Sequence, residues 1–179
     1  MNIIKTSRNK VFRDQLNSSV MKELNLTNIM AVPRLVKVVV SAGCGKFFKD
    51  DKKVDFMIAQ LKKITGQCPV KCSARKSIAG FSVREGFKTG MFVTLRRDMM
   101  YDFVRRLVLT AMPRIETFRG ISKKKFDGHG NLNLGLQQQD IFLEADSDIL
   151  FGLNIAFVTT AKTDDKAIVL FKKLDFPFI

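Results

Sequence analysis

The segment 91–96 limits the fold because polar and apolar side chains alternate along it. Its outward candidates are Phe92, Thr94 and Arg96, and its inward candidates are Val93 and Leu95. Successive side chains of a strand point to opposite faces, so this pattern predicts a strand with one buried and one exposed face. Antiparallel sheets accommodate such strands, because one face packs on the core while the other stays accessible.

The rest of the chain adds helices to this sheet. Helical periodicity is present in Asn2–Leu26, Asp50–Thr65, Asp98–Met112 and a segment that begins at Thr163. Strand patterns are present in the second half of Asn28–Ala42 and in Pro69–Ser73, Asn131–Gln138 and Leu153–Thr160. The order α-β-α-β-β-α-β-β-α predicts one α+β domain over residues 1–179, with an antiparallel β-sheet, helices packed on one face and a long basic loop between strands.

Three residues are expected to mark helix ends. Ser7 is a candidate N-cap of the first helix and Thr163 of the last, because their hydroxyls can accept a backbone N–H. Pro113 is expected to end the third helix, because proline lacks a backbone N–H.

Net charge narrows the class of partner. The chain carries 31 Lys and Arg against 17 Asp and Glu, a formal net charge of +14. Such a surface attracts polyanions. No apolar run approaches about 18 residues, so we expect no membrane contact and favour nucleic acid.

The basic stretch Lys71–Arg97 has the composition of a nucleic-acid contact surface. It holds seven Lys and Arg and only one acidic residue, Glu85. Serine hydroxyls, phenylalanine rings and glycines lie between the charges, and these groups suit phosphate bonding, base stacking and close backbone approach. A solvated loop between two strands would have the same charge, so the sequence pattern leaves both interpretations open.

Catalytic and metal chemistry find little support. Cys68 and Cys72 are spaced C-x3-C, but Cys44 and His129 do not supply the second pair that a structural zinc site needs. The odd cysteine count and the absence of a secretory signal favour a reducing compartment. Gly43–Lys46 lacks the spacing of a phosphate-binding loop. We expect no catalytic residue, no metal and no cofactor.

The chain resembles large-subunit ribosomal protein five of the bacterial and organellar type. The resemblance covers nearly the whole chain in seven ordered blocks: 32–45 (VPRLVKVVVSAGCG), 64–69 (ITGQCP), 74–86 (ARKSIAGFSVREG), 93–107 (VTLRRDMMYDFVRRL), 113–122 (PRIETFRGIS), 126–138 (FDGHGNLNLGLQQQ) and TTAKTDD with the closing FPF.

This resemblance implies a structural role in translation and no enzyme activity. The implied fold is an antiparallel sheet whose concave face binds 5S rRNA in the central protuberance. The implied partners also include the 23S-like large-subunit rRNA, P-site tRNA, neighbouring central-protuberance proteins and a small-subunit head protein that forms an intersubunit bridge. The implied location is a ribosome in the bacterial cytoplasm, the mitochondrial matrix or the plastid stroma.

The resemblance also assigns two sets of site residues. The 5S rRNA set is Ser41, Gln67, Phe81, Thr94 and Arg96. The loop implied to approach transfer RNA consists of Lys76, Ser77, Ile78, Ala79, Gly80, Phe81, Ser82, Val83, Arg84, Glu85 and Gly86. Phe81 is expected either to stack on RNA bases or to fold back as a hydrophobic pin for the loop.

Three features depart from the family pattern. Ser41 stands where the family usually has asparagine, so a hydroxyl replaces an amide. The motif DGHGNL replaces DGRGNY, which removes one fixed positive charge and one aromatic ring. The stretch Phe142–Gly152 is shorter than the usual bacterial version, which bears on the intersubunit bridge.

Two other functions fit parts of the pattern. A free-standing RNA-binding regulator or RNA chaperone on the same scaffold would carry the same basic face. A magnesium-dependent nuclease would use His129 with an acidic group drawn from Asp127, Glu144, Asp146 and Asp148.

Overall fold

A computed structural model describes residues 2–45, 47, 50–116, 118–146 and 148–179, with side chains from Phe12 onward. The helices are α1 (Asn2–Glu23), α2 (Asp51–Thr65), α3 (Arg97–Arg106) and α4 (Asp164–Lys172). The strands are β1 (Leu35–Gly43), β2 (Val70–Ser73), β3 (Lys88–Leu95), β4 (Leu132–Leu136) and β5 (Leu153–Thr159). The strands form an antiparallel sheet in the order β2-β3-β1-β5-β4, which confirms the α+β class and the predicted order of elements.

The chain divides into two compact units. The first comprises the residues up to Val38, together with Arg96–Leu134 and Ala156–Ile179. The second comprises Val39–Leu95 and Gly135–Ile155. The single domain expected from the sequence stays a prediction. Among the described helices, none combines the length and apolar character needed to cross a membrane.

Helices and phenylalanine rings fill the core of the first unit. Helix α1 packs against α3 and α4, and its residues Leu16 and Val20 are buried. Phe157 and Phe171 meet edge to face with ring centroids 5.8 Å apart, and Phe176 lies against both. Phe126 adds a further edge-to-face contact with Phe171. Such pairs stabilise by about 1 kcal/mol beyond their buried area.

The end of the third helix differs from the prediction. The α-helix ends at Arg106, a π-helical turn follows over Leu107–Ala111, and a 3-10 turn, Met112–Arg114, contains Pro113. Proline tolerates the first positions of a turn, so it does not stop the helical path there. The core-facing residues along this helical path are buried: Met100, Phe103, Val104, Leu107, Val108 and Ala111.

The two predicted serine and threonine caps have different outcomes. Ser7 lies inside α1, which begins at Asn2, so the predicted cap is wrong. Thr163 occupies the N-cap position of α4, but its side chain makes no capping hydrogen bond. The neighbouring Asp164 carboxylate instead accepts a hydrogen bond from the Gly130 N–H at 2.8 Å.

In the second unit, α2 has clear boundary residues and packs against β3. The Asp50 carboxylate accepts a hydrogen bond from the Lys53 N–H at 3.4 Å and caps the N-terminus. Gly66 ends the helix in the left-handed region, with φ of 75°. This conformation favours glycine, which has no Cβ, and it confirms the predicted stop.

Buried glutamines hold the connection between β4 and β5, residues 137–152, in place. The fully buried Gln139 side chain donates to the Ile149 carbonyl at 2.6 Å and accepts from the Phe151 N–H at 2.7 Å. Gln60 on α2 donates to the Asp146 carboxylate at 2.6 Å and accepts from the Asp146 N–H at 2.9 Å. These bonds tie Gln139 to Ile149 and Phe151, and they tie Asp146 to α2.

The Asp146 carboxylate also binds Lys63, with the two atoms 2.6 Å apart. Hydrogen bonds from Lys63 and Gln60 hold the pKa of Asp146 below its ordinary value. A group with a lowered folded-state pKa stabilises the fold above its unfolded-state pKa, and that contribution is lost as the pH falls through the folded-state value. The Asp146 contacts therefore stabilise the folded loop more at neutral pH than at acidic pH.

We predict that Gln139→Leu destabilises the protein by about 3 kcal/mol, because it leaves the buried Phe151 N–H and the Ile149 carbonyl without partners. Urea unfolding at equilibrium measures the change. The exposed neighbour gives a matched control, since Gln138→Leu should stay within about 0.5 kcal/mol of the wild type. Equal stabilities of the two variants would contradict this role for Gln139.

Candidate nucleic-acid interface

The sheet has one buried and one accessible face. On β3, Met91, Val93 and Leu95 are at most 2% exposed, whereas Phe92 is 36% exposed and Thr94 is half-buried. Burial alternates in the same way along β1, β4 and β5. The predicted alternation is therefore confirmed. The accessible side is called the open face below.

Strand β2 extends the open face at the sheet edge. It pairs antiparallel with β3, with Val70 opposite Phe92 and Cys72 opposite Gly90. Paired residues share a face, so Val70 and Cys72 join Phe92 on the open face. Val70 is 56% exposed. The open face therefore includes apolar surface that can support stacked bases.

The structure brings three predicted 5S rRNA residues to the sheet. Ser41 and Thr94 lie on the open face of neighbouring strands, and the Ser41 hydroxyl donates to the Asn154 carbonyl at 3.4 Å. Gln67 is exposed and lies three residues before β2. It is next to the end of β3 that carries Thr94, because Val70 of β2 pairs with Phe92. The Gln67 side chain has no hydrogen-bond partner among the described residues.

Arg96 follows β3 directly and occupies the N-cap position of α3. It is exposed, and no described carboxylate lies within salt-bridge distance of it. The next residue, Arg97, has φ of 54°, so the chain turns from strand to helix within one residue. The guanidinium of Arg96 is thus available for an external anion.

Phe81 lies apart from the other four predicted residues. It sits in a 3-10 turn, Ala79–Phe81, at the tip of the connection between β2 and β3. This connection joins β3 at Lys88, and Thr94 lies six residues further along the strand. Six residues of an extended strand span about 20 Å. Phe81 is 74% exposed, so it does not act as a hydrophobic pin within the described part of the chain.

The β2–β3 connection is a folded hairpin. Ile78 and Val83 form an antiparallel bridge, and the Ser77 hydroxyl accepts a hydrogen bond from the Glu85 N–H at 3.0 Å. Ser82, at the tip, has a left-handed φ of 53°. The hairpin therefore projects Lys76 and Arg84 from a defined backbone into solvent.

Helix α2 neutralises part of the basic stretch. Lys71 pairs with Asp55 at 3.1 Å, and Lys88 pairs with Asp51 at 2.7 Å. The hydrogen bond from Lys88 holds the pKa of Asp51 below its ordinary value. The remaining five cations have no carboxylate partner in the described part of the chain: Arg75, Lys76, Arg84, Arg96 and Arg97. The free positive charge thus lies on the hairpin and at the start of α3.

The three cysteines have different environments. Cys44 is fully buried, and burial, with a smaller effect of Cys72, raises the pKa of its thiol. Cys68 is exposed and Cys72 is half-buried. Among the residues with described positions, no three His, Cys, Asp or Glu side chains are grouped as metal ligands.

Two of the acidic residues considered for a nuclease, Asp127 and Asp146, are engaged in loop structure. Partial burial opposes ionisation of Asp127, but hydrogen bonds from Asn131 and the His129 N–H outweigh it and hold its pKa below the ordinary value. These bonds close the turn of the DGHGN motif. Asp146 is bound by Gln60 and Lys63.

Sequence reasoning left several open-face residues outside the predicted site. Phe92 was placed on the correct face but was not assigned to the site, and Val70, Cys72 and Asn154 were missed. Their common signal is position: each lies opposite or two residues from a residue on the open face. The pairing register of β2 with β3, which sequence does not reveal, was needed to see it.

Comparison with protein families now adds to this geometry. Residues 88–178 match the family model of the ribosomal protein L5 C-terminus, and residues 28–84 match the family described as Ribosomal protein L5. The C-terminal match alone covers more than half of the chain. The chain belongs to the ribosomal protein L5 family. Members of this family are structural proteins of the large ribosomal subunit that bind rRNA and are not enzymes.

We predict that the three thiols react in order of exposure. With an uncharged alkylating reagent at neutral pH, Cys68 should react first and Cys44 only on unfolding, because its thiol is buried and its pKa is raised. Mass spectrometry of timed samples measures the rates, and urea-unfolded protein is the control in which all three react. Alkylation of Cys44 at the rate of Cys68 in the folded protein would contradict the structure.

Proposed function

We propose that this large-subunit protein binds 5S rRNA through the open face. The observation that carries the proposal is that Ser41 and Thr94 lie on adjoining strands, with Gln67 just before β2 and Arg96 directly after β3. Hydroxyl, amide and guanidinium groups suit RNA backbone and base edges. Phe92 and Val70 provide apolar surface between them, on which a base can stack.

The hairpin between β2 and β3 is proposed to contact P-site tRNA. It carries Lys76 and Arg84, two of the cations without a carboxylate partner among the described residues, and the exposed ring of Phe81 at its tip. Cations bind phosphates and an exposed ring stacks on a base, so the tip has the chemistry of an RNA contact.

The acidic part of the loop between β4 and β5, residues 140–146, is proposed to face protein neighbours, including the small-subunit head. It is acidic, unlike the chain as a whole, and Leu143 on it is 70% exposed. Acidic and apolar surface is unsuited to RNA but suits a basic protein partner. We also propose contacts with neighbouring central-protuberance proteins and with 23S-like rRNA. The proposed location is a bacterial or organellar ribosome.

We predict that Arg96→Gln lowers affinity for 5S rRNA by about ten-fold to a hundred-fold, because a charge-assisted bond to phosphate is lost. The slope of log affinity against log salt should fall by about one, since one phosphate contact is removed. Thr94→Val should weaken binding by several-fold without changing the slope, because its hydroxyl carries no charge. Filter-binding titrations at several salt concentrations measure both quantities.

Lys71→Gln is the matched control for Arg96→Gln. It removes the same charge, but Lys71 lies opposite Met91, on the buried side of the sheet, and already pairs with Asp55. Its salt slope should remain that of the wild type. Equal slopes for Arg96→Gln and the wild type would overturn the assignment of Arg96.

The hairpin gives a separate prediction. The double variant Lys76→Gln/Arg84→Gln should weaken P-site tRNA binding to reconstituted ribosomes several-fold, because two phosphate-binding cations are removed. Binding of isolated 5S rRNA should change little, since the hairpin lies at the opposite end of β3 from Thr94. Lys71→Gln/Lys88→Gln, which removes two ammonium groups that already pair with Asp55 and Asp51, is the charge-matched control. Unchanged tRNA binding by the double variant would exclude this contact.

A further inference from the structure

A pocket lies at one end of the open face, within the second unit. Its volume is about 360 Å³, which is within the usual range of roughly 300–1,000 Å³ for ligand sites. It is lined by Gly43, Gly45, Phe47, Gln137, Gln138, Leu150, Phe151 and Gly152. None of these residues belongs to the predicted 5S rRNA set, so the pocket is a separate feature of this face.

Glycines form the floor of the pocket. Gly43 follows Ser41 by two residues on β1, so it lies on the open face, and Gly152 lies next to the start of β5. Neighbouring residues aside, a Cβ at Gly43 or Gly45 would meet no atom of the described residues within 4 Å, so the described part of the chain leaves the space above them open. Without side chains, this floor lets a flat ring approach the backbone closely.

The walls of the pocket combine a ring with two free amides. Phe47 provides an aromatic face, and Lys53 lies over that ring with its ammonium 5.7 Å from the centroid. Gln137 and Gln138 are exposed, and neither side-chain amide has a hydrogen-bond partner in the described part of the chain. A carboxamide donates and accepts side by side, as the edge of adenine does.

Hydrogen bonds hold both sides of the pocket in shape. On one side, the Phe47 N–H donates to the Cys44 carbonyl at 2.7 Å, and the Cys44 N–H donates to the Thr89 carbonyl at 2.9 Å. On the other side, buried Gln139 bonds the Phe151 N–H. A preformed pocket avoids part of the ordering cost of binding.

We propose that this pocket receives one unpaired base of 5S rRNA, with adenine as the best match to the paired amides. The proposal rests on the proposed 5S rRNA function and names one contact within it. RNA-binding proteins read unstacked bases by enclosing their faces and bonding their edges, and this pocket supplies both kinds of group beside Ser41.

Filling the pocket tests the proposal. The backbone at Gly43 lies outside the left-handed region and its Cβ would meet open space, so Gly43→Leu should fold and occupy the pocket. Affinity for a 5S rRNA transcript should fall about ten-fold, as for loss of one stacked base. The salt slope should stay unchanged, because no phosphate contact is removed. Gly43→Ala, which adds one methyl group, should have a smaller effect.

Dimethyl sulfate probing of the transcript identifies the base. Wild-type protein should protect one unpaired adenine that Gly43→Leu leaves reactive, while the rest of the footprint is retained. The double variant Gln137→Ala/Gln138→Ala should lose the same protection. If circular dichroism shows that Gly43→Leu is unfolded, the double variant takes its place in the test. Gln15→Ala removes an exposed glutamine from α1 and is the matched control.

The outcomes separate the pocket from the proposed function. If wild-type protein does not bind the transcript, both proposals are overturned. If it binds, and the pocket variants bind equally well with an identical footprint, the pocket proposal alone is overturned. A steeper or shallower salt slope in Gly43→Leu would also overturn it, because the loss would then come from phosphate contacts.

Discussion

One-sided burial of the sheet is the constraint on which the rest of the structure depends. Val38, Val40, Val93 and Leu95 lose almost all solvent contact on one face, and Phe157 does the same on β5. Burying a side chain of this size stabilises by about 1.5–3 kcal/mol, so a register slip of one residue would be costly on β1, β3, β4 and β5. The same register determines which residues lie on the opposite face, although that face does not contribute to the core. It is free to carry groups chosen for binding.

Charge is distributed by the same architecture. Acidic residues at Asp51 and Asp55 on α2 pair with Lys88 and Lys71, so cations close to the helix are neutralised. Exposed ion pairs of this kind contribute at most about 1 kcal/mol each, so their main effect is on where free charge remains. That charge lies on the hairpin and around Arg96. Within residues 71–97, the cations without a described carboxylate partner are therefore grouped at these two places.

Most elements and their inward faces followed from sequence, because periodicity reports burial directly. The α2 boundaries were clear because Asp50 and Gly66 act through local hydrogen bonds and backbone conformation. The predicted cap at Ser7 was wrong because a serine can also lie within a helix. Only the backbone conformation of the preceding residues distinguishes the two positions. The π-turn after Arg106 has no pattern of its own, since the inward residues are the same in either helix.

The sequence by itself determined the fold class, the buried face of β3 and the basic character of the stretch Lys71–Arg97. These properties depend on residue type and spacing, which act through interactions between residues close in sequence. Tertiary structure alone decided which residues share a surface. It placed Ser41 beside β3, set Phe81 at a distant hairpin tip and joined Gly43 with Gln137 around one pocket. Such neighbours come from strand order and pairing register, which are set by contacts between residues far apart in the chain.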